Sequence, residues 1–149
     1  MRKVLCVCFG NTCRSPMMEA MLQRELGDTY IVESAGVSPK AREGEPANEH
    51  SVLCIEERGM DLINHRSRFV GELKLEEYSH IICVGESEAE EVYLLLDPLK
   101  WEARSPLVLI ANREGGGVPN PWQKGPLAYQ ACARLLDVEM WKVAELIRA

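Results

Sequence analysis

Cys8-Phe9-Gly10-Asn11-Thr12-Cys13-Arg14-Ser15-Pro16 decides the fold of this chain. It follows an apolar run, Val4-Leu-Cys-Val-Cys8, and leads into Met17-Met-Glu-Ala-Met-Leu-Gln-Arg-Glu-Leu26, which is patterned as a helix. The order is strand, tight loop, helix, with Pro16 in the first helical turn. Such a loop turns its backbone N–H groups inward, and the helix N-terminus adds a partial positive charge, so the segment is built to hold an anion. The same field, with Arg14 close by, favours the thiolate form of Cys8 and makes it a candidate nucleophile. Arg14 can grip two phosphoryl oxygens with its planar fork. Ser15 can donate a hydrogen bond to the thiolate or to the departing sulfur.

Outward from this segment, short apolar runs alternate with helical patterns. Strands are predicted at 3–8, 30–35, 80–84 and 107–110. Helices are predicted at 16–26, from Pro46 to about Arg58 with Gly59 closing it, at 87–96 and at 127–147. A short helix or turn is expected at 75–78, and Asp97-Pro98 is read as a helix terminator. In the last helix, Leu127, Cys132, Leu135, Leu136, Val143 and Leu146 are the expected core contacts. The strands are continuous apolar runs, so the expected fold is α/β: a single-domain three-layer sandwich over 1–149, with a four-stranded parallel sheet and helices on both faces. Ligands of such sheets bind beyond the carboxyl ends of the strands, where Cys8 and the loops after Ala35 and Ile110 all fall.

Composition narrows the function. Of 149 residues, 46% are hydrophobic and 27% charged, ordinary values for a globular protein. The formal net charge of -6 argues against general nucleic-acid binding, which needs a basic surface. No apolar run approaches the roughly 20 residues of a membrane span, and no signal peptide is visible, so no membrane association and a cytoplasmic location are expected. The six cysteines, Cys6, Cys8, Cys13, Cys54, Cys83 and Cys132, sit in apolar runs, helical patterns and the loop, as suits free thiols in a reducing compartment. Their spacing suggests no zinc site, and no metal or cofactor is implied.

The segment Cys8–Pro16 resembles the signature of the low-molecular-weight protein tyrosine phosphatases, and the likeness runs over essentially the whole chain. Glu33-Ser34-Ala-Gly-Val37 matches a Ser-Ala pair of that family. Gly59-Met-Asp-Leu-Ile-Asn-His65-Arg-Ser-Arg68 is similar to its Gly-x-x-x-x-x-His-x-Ala/Ser-Arg stretch. The resemblance implies that Ser34 and His65 buttress the loop with Asn11. Asn11 itself is expected to need a left-handed backbone angle that side-chain partners would hold. It also implies that Cys13 can form a protective disulfide with the nucleophile. The catalytic residues so implied are Cys8, Arg14 and Ser15, with Asn120 at the position of the family's acid. Phe9, Gly10, Asn11, Thr12 and Cys13 of the loop, with Trp122, are the implied substrate-binding residues. A phosphorylated protein is the implied partner, with phosphate or a similar oxyanion in the loop.

The chain departs from the family at two places. Where the family carries its general acid, in Asp-Pro-aromatic, this chain reads Val118-Pro-Asn120-Pro121-Trp122. An amide cannot donate a proton to a leaving alkoxide or take one from an attacking water, so activity is expected to be reduced. Glu114 is the carboxylate of this loop nominated in its place. Gly85, in Cys83-Val-Gly-Glu-Ser87, stands where tyrosine-directed relatives often carry an aspartate. Thr12 resembles members that act on protein phosphoarginine, whereas Phe9 and Trp122 would wall a slot for a phenyl ring. The expectation is a phosphotyrosine-type phosphatase working through a phosphocysteine. The alternatives are a protein-arginine phosphatase, a non-catalytic phosphoprotein-binding module, and a thiol-dependent arsenate reductase on the same fold. The last needs two further cysteines close together, which the positions of Cys83 and Cys132 do not suggest.

Overall fold

A computed structural model describes residues 1–96 and 105–149. The elements in chain order are β1 (Arg2–Cys8), α1 (Arg14–Leu26), β2 (Tyr30–Gly36), α2 (Glu49–Glu56), β3 (His80–Cys83), α3 (Glu86–Leu96), β4 (Leu107–Ile110) and α4 (Pro126–Arg148). Short 3-10 turns occupy Pro39–Glu43, Val70–Glu72, Leu75–Glu77 and Arg113–Gly115. The four strands form one parallel sheet in the order β2-β1-β3-β4, as their continuous apolar character predicts.

Strand alternation builds the two faces. Val4, Cys6 and Cys8 of β1 and Ile82 of β3 pack with Met17, Met21 and Leu22 of α1, Ile55 of α2, and Tyr129, Leu136 and Met140 of α4. Leu5 and Val7 of β1, with Ile81 and Cys83 of β3, pack on the other face against Ala89, Val92 and Leu96 of α3 and against Val70, Leu75 and Tyr78. The sheet is therefore covered on both sides. Among the described residues no helix is long and apolar enough to cross a membrane.

Register sets the functional edge. Cys8 pairs with Gly36, Val7 with Cys83, and Cys83 with Ile110. The four strands thus end almost level, and the loops that follow them open at one edge.

Three expectations shift. Helix α1 begins at Arg14, two residues before Pro16, so Arg14 and Ser15 belong to its first turn. Helix α2 begins at Glu49 and not at Pro46, because Asn48 is the better cap: its Oδ1 accepts the His50 N–H at 2.9 Å. It ends in a Schellman turn at Gly59 (φ 78°), with Met60 N–H bonded to Ile55 C=O at 3.2 Å. The buried face of α4 is Tyr129, Cys132, Ala133, Leu136, Met140, Val143, Ala144 and Ile147. Leu127 and Leu146 are exposed, since they fall off this 3–4 spaced stripe. Asp97-Pro98 lies outside the described residues.

Candidate active site

Cys8 is the last residue of β1 and only 2% exposed. Residues 9–13 curl over it before α1 begins, and no side chain caps that helix, so its N-terminal N–H groups remain available to an anion. Two donors meet the sulfur. The Asn11 backbone N–H donates to Sγ at 3.2 Å, and Ser15 Oγ lies 2.9 Å away. Ser15 Oγ also accepts from Asn11 Nδ2 at 2.7 Å, which leaves its own proton free to point at the sulfur.

Asn11 organises the loop. It is wholly buried and sits at φ 60°, a left-handed angle costly for a residue with a Cβ. Every polar group it carries is used. Nδ2 donates to Ser15 and to Ser34 Oγ (3.0 Å), Oδ1 accepts the Arg68 N–H (2.9 Å), and its carbonyl receives His65 Nε2 (2.7 Å). Ser34 in turn donates to Glu19 Oε1 at 2.7 Å. Burial pushes the Glu19 carboxyl above its ordinary value, and the Ser34 hydroxyl opposes that shift. Ser34 and His65, singled out in the sequence, both reach Asn11; Arg68, the last residue of the matched His-x-Ser-Arg stretch, and Glu19, which has no sequence signal of its own, complete the network. A cleft of about 460 Å³ behind this network exposes Glu19 and His65 but includes neither Cys8 nor Arg14.

His65 carries a measurable pH signature. Burial, more than the nearby Arg68 and Arg66, pulls its pKa below the usual histidine value, against the pull of its bond to Asn11. Nε2 carries the proton that the Asn11 carbonyl accepts, and burial favours the ring in its neutral form. The unfolded chain then binds the extra proton more readily, so this contribution to stability is complete above about pH 6.5 and is lost as pH falls through the folded-state pKa. A His65→Gln variant should lose less melting temperature than the parent between pH 7 and pH 5, both read by thermal denaturation. Equal losses would show that His65 does not titrate this way.

Gly36 lets β2 run against the loop. A Cβ there would lie 2.6 Å from the Phe9 carbonyl and 3.0 Å from Asn11 N. Beyond it, Val37 and Ser38 N–H groups donate to the Cys8 and Phe9 carbonyls, fixing the outer side of the loop.

Arg14, 8% exposed, donates from Nη1 to the Val118 carbonyl at 2.9 Å. That bond ties α1 to the segment between β4 and α4. Val118 N–H donates in turn to the Val84 carbonyl at 2.7 Å. Arg14, Phe9, Val84, Gly85, Glu86, Ser87, Glu88, Gly116, Val118 and Asn120 line a cleft of about 550 Å³. Asn120 thus shares a cleft with Arg14, and its Oδ1 accepts the Trp122 N–H at 3.2 Å.

Other expected positions fall differently. Trp122 is exposed and is not among the residues that line this cleft, whereas Phe9 and Glu86–Glu88 are. Glu114 sits exposed in a 3-10 turn away from the lining. The carboxylates on the cleft are Glu86 and Glu88, in the first turn of α3, a position at the sheet's carboxyl edge that topology alone points to. Gly10 and Thr12 lie in the loop, with Thr12 Oγ1 3.7 Å from Cys13 Sγ. Cys13 Sγ also meets Tyr129 Oη at 3.2 Å, a partner with no mark in the sequence, and burial pushes the Cys13 thiol up. Cys83 and Cys132 pack in cores on opposite faces of the sheet, so they cannot form a relay pair without unfolding. Among the described residues no cluster of three or more His, Cys, Asp or Glu side chains is arranged to hold a metal.

Comparison with known proteins agrees with this geometry. The sequence model of the family described as "Low molecular weight phosphotyrosine protein phosphatase" matches residues 3–149. The low molecular weight protein-tyrosine-phosphatase Wzb of Salmonella typhi is 29% identical over 148 residues, covering 99% of this chain and 95% of its own. A protein-arginine-phosphatase of Geobacillus stearothermophilus is 27% identical over 147 residues, covering 98% and 96%. The structure of Vibrio vulnificus Wzb in complex with benzylphosphonate superposes with a TM-score of 0.83 at 26% identity, covering 97% of this chain and 98% of that one.

Proposed function

This chain belongs to the low molecular weight phosphotyrosine protein phosphatase family, and from that membership we propose that it hydrolyses phosphotyrosine-type esters on proteins through a phosphocysteine at Cys8. The observation that carries the reading is the cradle around Cys8 Sγ: Ser15 Oγ at 2.9 Å, the Asn11 N–H at 3.2 Å and an uncapped helix N-terminus, with Arg14 beside it. A phosphoryl group in the loop would accept backbone N–H bonds and a bidentate grip from Arg14, which needs only to yield its bond to Val118. Cys8 attacks phosphorus in line, the ester oxygen leaves, and the loop stabilises the charge on the equatorial oxygens. Ser15 then eases departure of the sulfur when water attacks. The benzylphosphonate bound by Vibrio vulnificus Wzb has the form such a site would take, a phosphorus oxyanion next to an aromatic ring.

Asn120 occupies the acid position and has no proton to give, so turnover is slow and favours esters with good leaving groups. A second reading, arginine dephosphorylation, is favoured by Thr12 in the loop and by the likeness to the Geobacillus protein. Either substrate passes through the same intermediate. The test is rapid acid quench of the protein with an aryl phosphate, followed by peptide mass spectrometry. One phosphoryl group on the peptide that contains Cys8 is expected. A burst of phosphate release with no labelled cysteine would overturn the mechanism.

A further inference from the structure

Glu88 is a carboxylate in the wrong place for a surface residue. It is 8% exposed, and glutamate is rarely buried without a partner. Its one hydrogen bond among the described residues comes from Ser87 Oγ, at 3.1 Å to Oε1. The neighbouring Glu86 is different: it is exposed and faces Arg113 at 4.0 Å. Glu88 instead lines the cleft that contains Arg14, and Arg14 is the only cationic side chain of that lining.

One chain of backbone contacts runs between them. A Cβ on Gly85 would lie 3.2 Å from Glu88 Oε1, so the carboxylate rests over bare backbone at the end of β3. The adjoining Val84 carbonyl holds Val118 N–H, and the Val118 carbonyl holds Arg14. Both charges therefore line one cleft and are linked through the Gly85, Val84 and Val118 backbone, without a direct bond within 4.0 Å.

Resting on the phosphatase reading above, we propose that Glu88 is a positioning residue for Arg14. Its charge holds the guanidinium plane toward the loop when the bond to Val118 is given up to the phosphoryl oxygens. Gly85 is bare because the carboxylate needs its space. Glu88 makes no contact with the reacting atoms.

The experiment compares Glu88→Gln with the parent in kcat/KM on an aryl phosphate and in inhibition by inorganic phosphate. The variant should lose about ten- to a hundredfold in kcat/KM, the scale on which slight misplacement of a catalytic group acts. Phosphate should also inhibit it more weakly, because a misplaced Arg14 loosens its grip on the oxyanion of phosphate and transition state alike. Unchanged turnover, or lower turnover with phosphate inhibition as tight as in the parent, would overturn the proposal. Moving the charge supplies the second variant. Gly85→Asp should harm the parent, where two carboxylates would crowd, and rescue Glu88→Ala, where the space is free. Failure of that rescue also overturns it. If the parent itself releases no phosphate, the phosphatase reading falls, and this proposal with it.

Discussion

Cys8→Ser is expected to abolish turnover and to leave the proposed anion site in place. The serine hydroxyl, held by Ser15 and the Asn11 N–H, has no base beside it to take its proton, and an alkoxide is far less accessible than a thiolate. Loss of a covalent nucleophile costs on the order of 10⁴–10⁶-fold in kcat. Phosphate release from an aryl phosphate should fall by that much. Binding of inorganic phosphate or vanadate, followed by calorimetry, should persist, because the N–H groups and Arg14 that grip the oxyanion are untouched. The substitution replaces a nearly buried sulfur with a smaller oxygen, so a modest fall in melting temperature is expected. Turnover at the parental rate would show that the attacking atom lies elsewhere.

Asn120→Asp acts in the opposite direction. The side chain lines the same cleft as Arg14 and is exposed, so an aspartate there has room and solvent access. It can protonate the leaving oxygen in the first step and deprotonate water in the second. General acid–base assistance is typically worth about 10²–10⁴-fold, and a gain of at least about a hundredfold on an ester with a poor leaving group is expected. The gain should shrink as the leaving group improves, since a good leaving group needs no proton. A uniform gain across leaving groups would point instead to a change in binding. No gain at all would mean that a proton already comes from another group.

The sheet was legible because its evidence is local. Four apolar runs flanked by turn residues require little beyond their own composition to be read as buried parallel strands, and β4 falls where the pattern puts it, at Leu107–Ile110. Helix faces were less legible. Leu127 and Leu146 have the right chemistry for a core, but which stripe of α4 meets the sheet depends on how the helix is rotated, and Tyr129, Met140 and Ile147 hold that stripe. The start of α2 turned on a contest between Pro46 and Asn48 that capping decided.

The site divides in the same way. Cys8, Arg14 and Ser15 fall within eight consecutive residues, so their placement is a property of one loop and the helical turn after it. Asn11 reaching Ser34 and His65 was readable only through a likeness that already held those positions together. Glu19 and Tyr129 enter from separate elements, and nothing in their own neighbourhoods marks them. Glu88 is the extreme case: its place depends on the first turn of α3 and on the absence of a side chain at Gly85. Glu114, nominated from nearness in sequence, sits exposed in the right loop and is not among the residues lining the cleft.

Asn11 places a limit on what can change in this protein. A glycine there would relieve the left-handed angle but take one donor each from the Ser15 and Ser34 hydroxyls and the acceptor of the Arg68 N–H at once. An aspartate would keep the acceptor and lose both amide donors, setting a negative charge against the nucleophile's own. Neither substitution can be repaired at a single neighbouring position, because the partners come from α1, β2 and the segment before Phe69. The residue is therefore a point where the sequence is nearly frozen, whatever leaving group the cleft outside comes to accept.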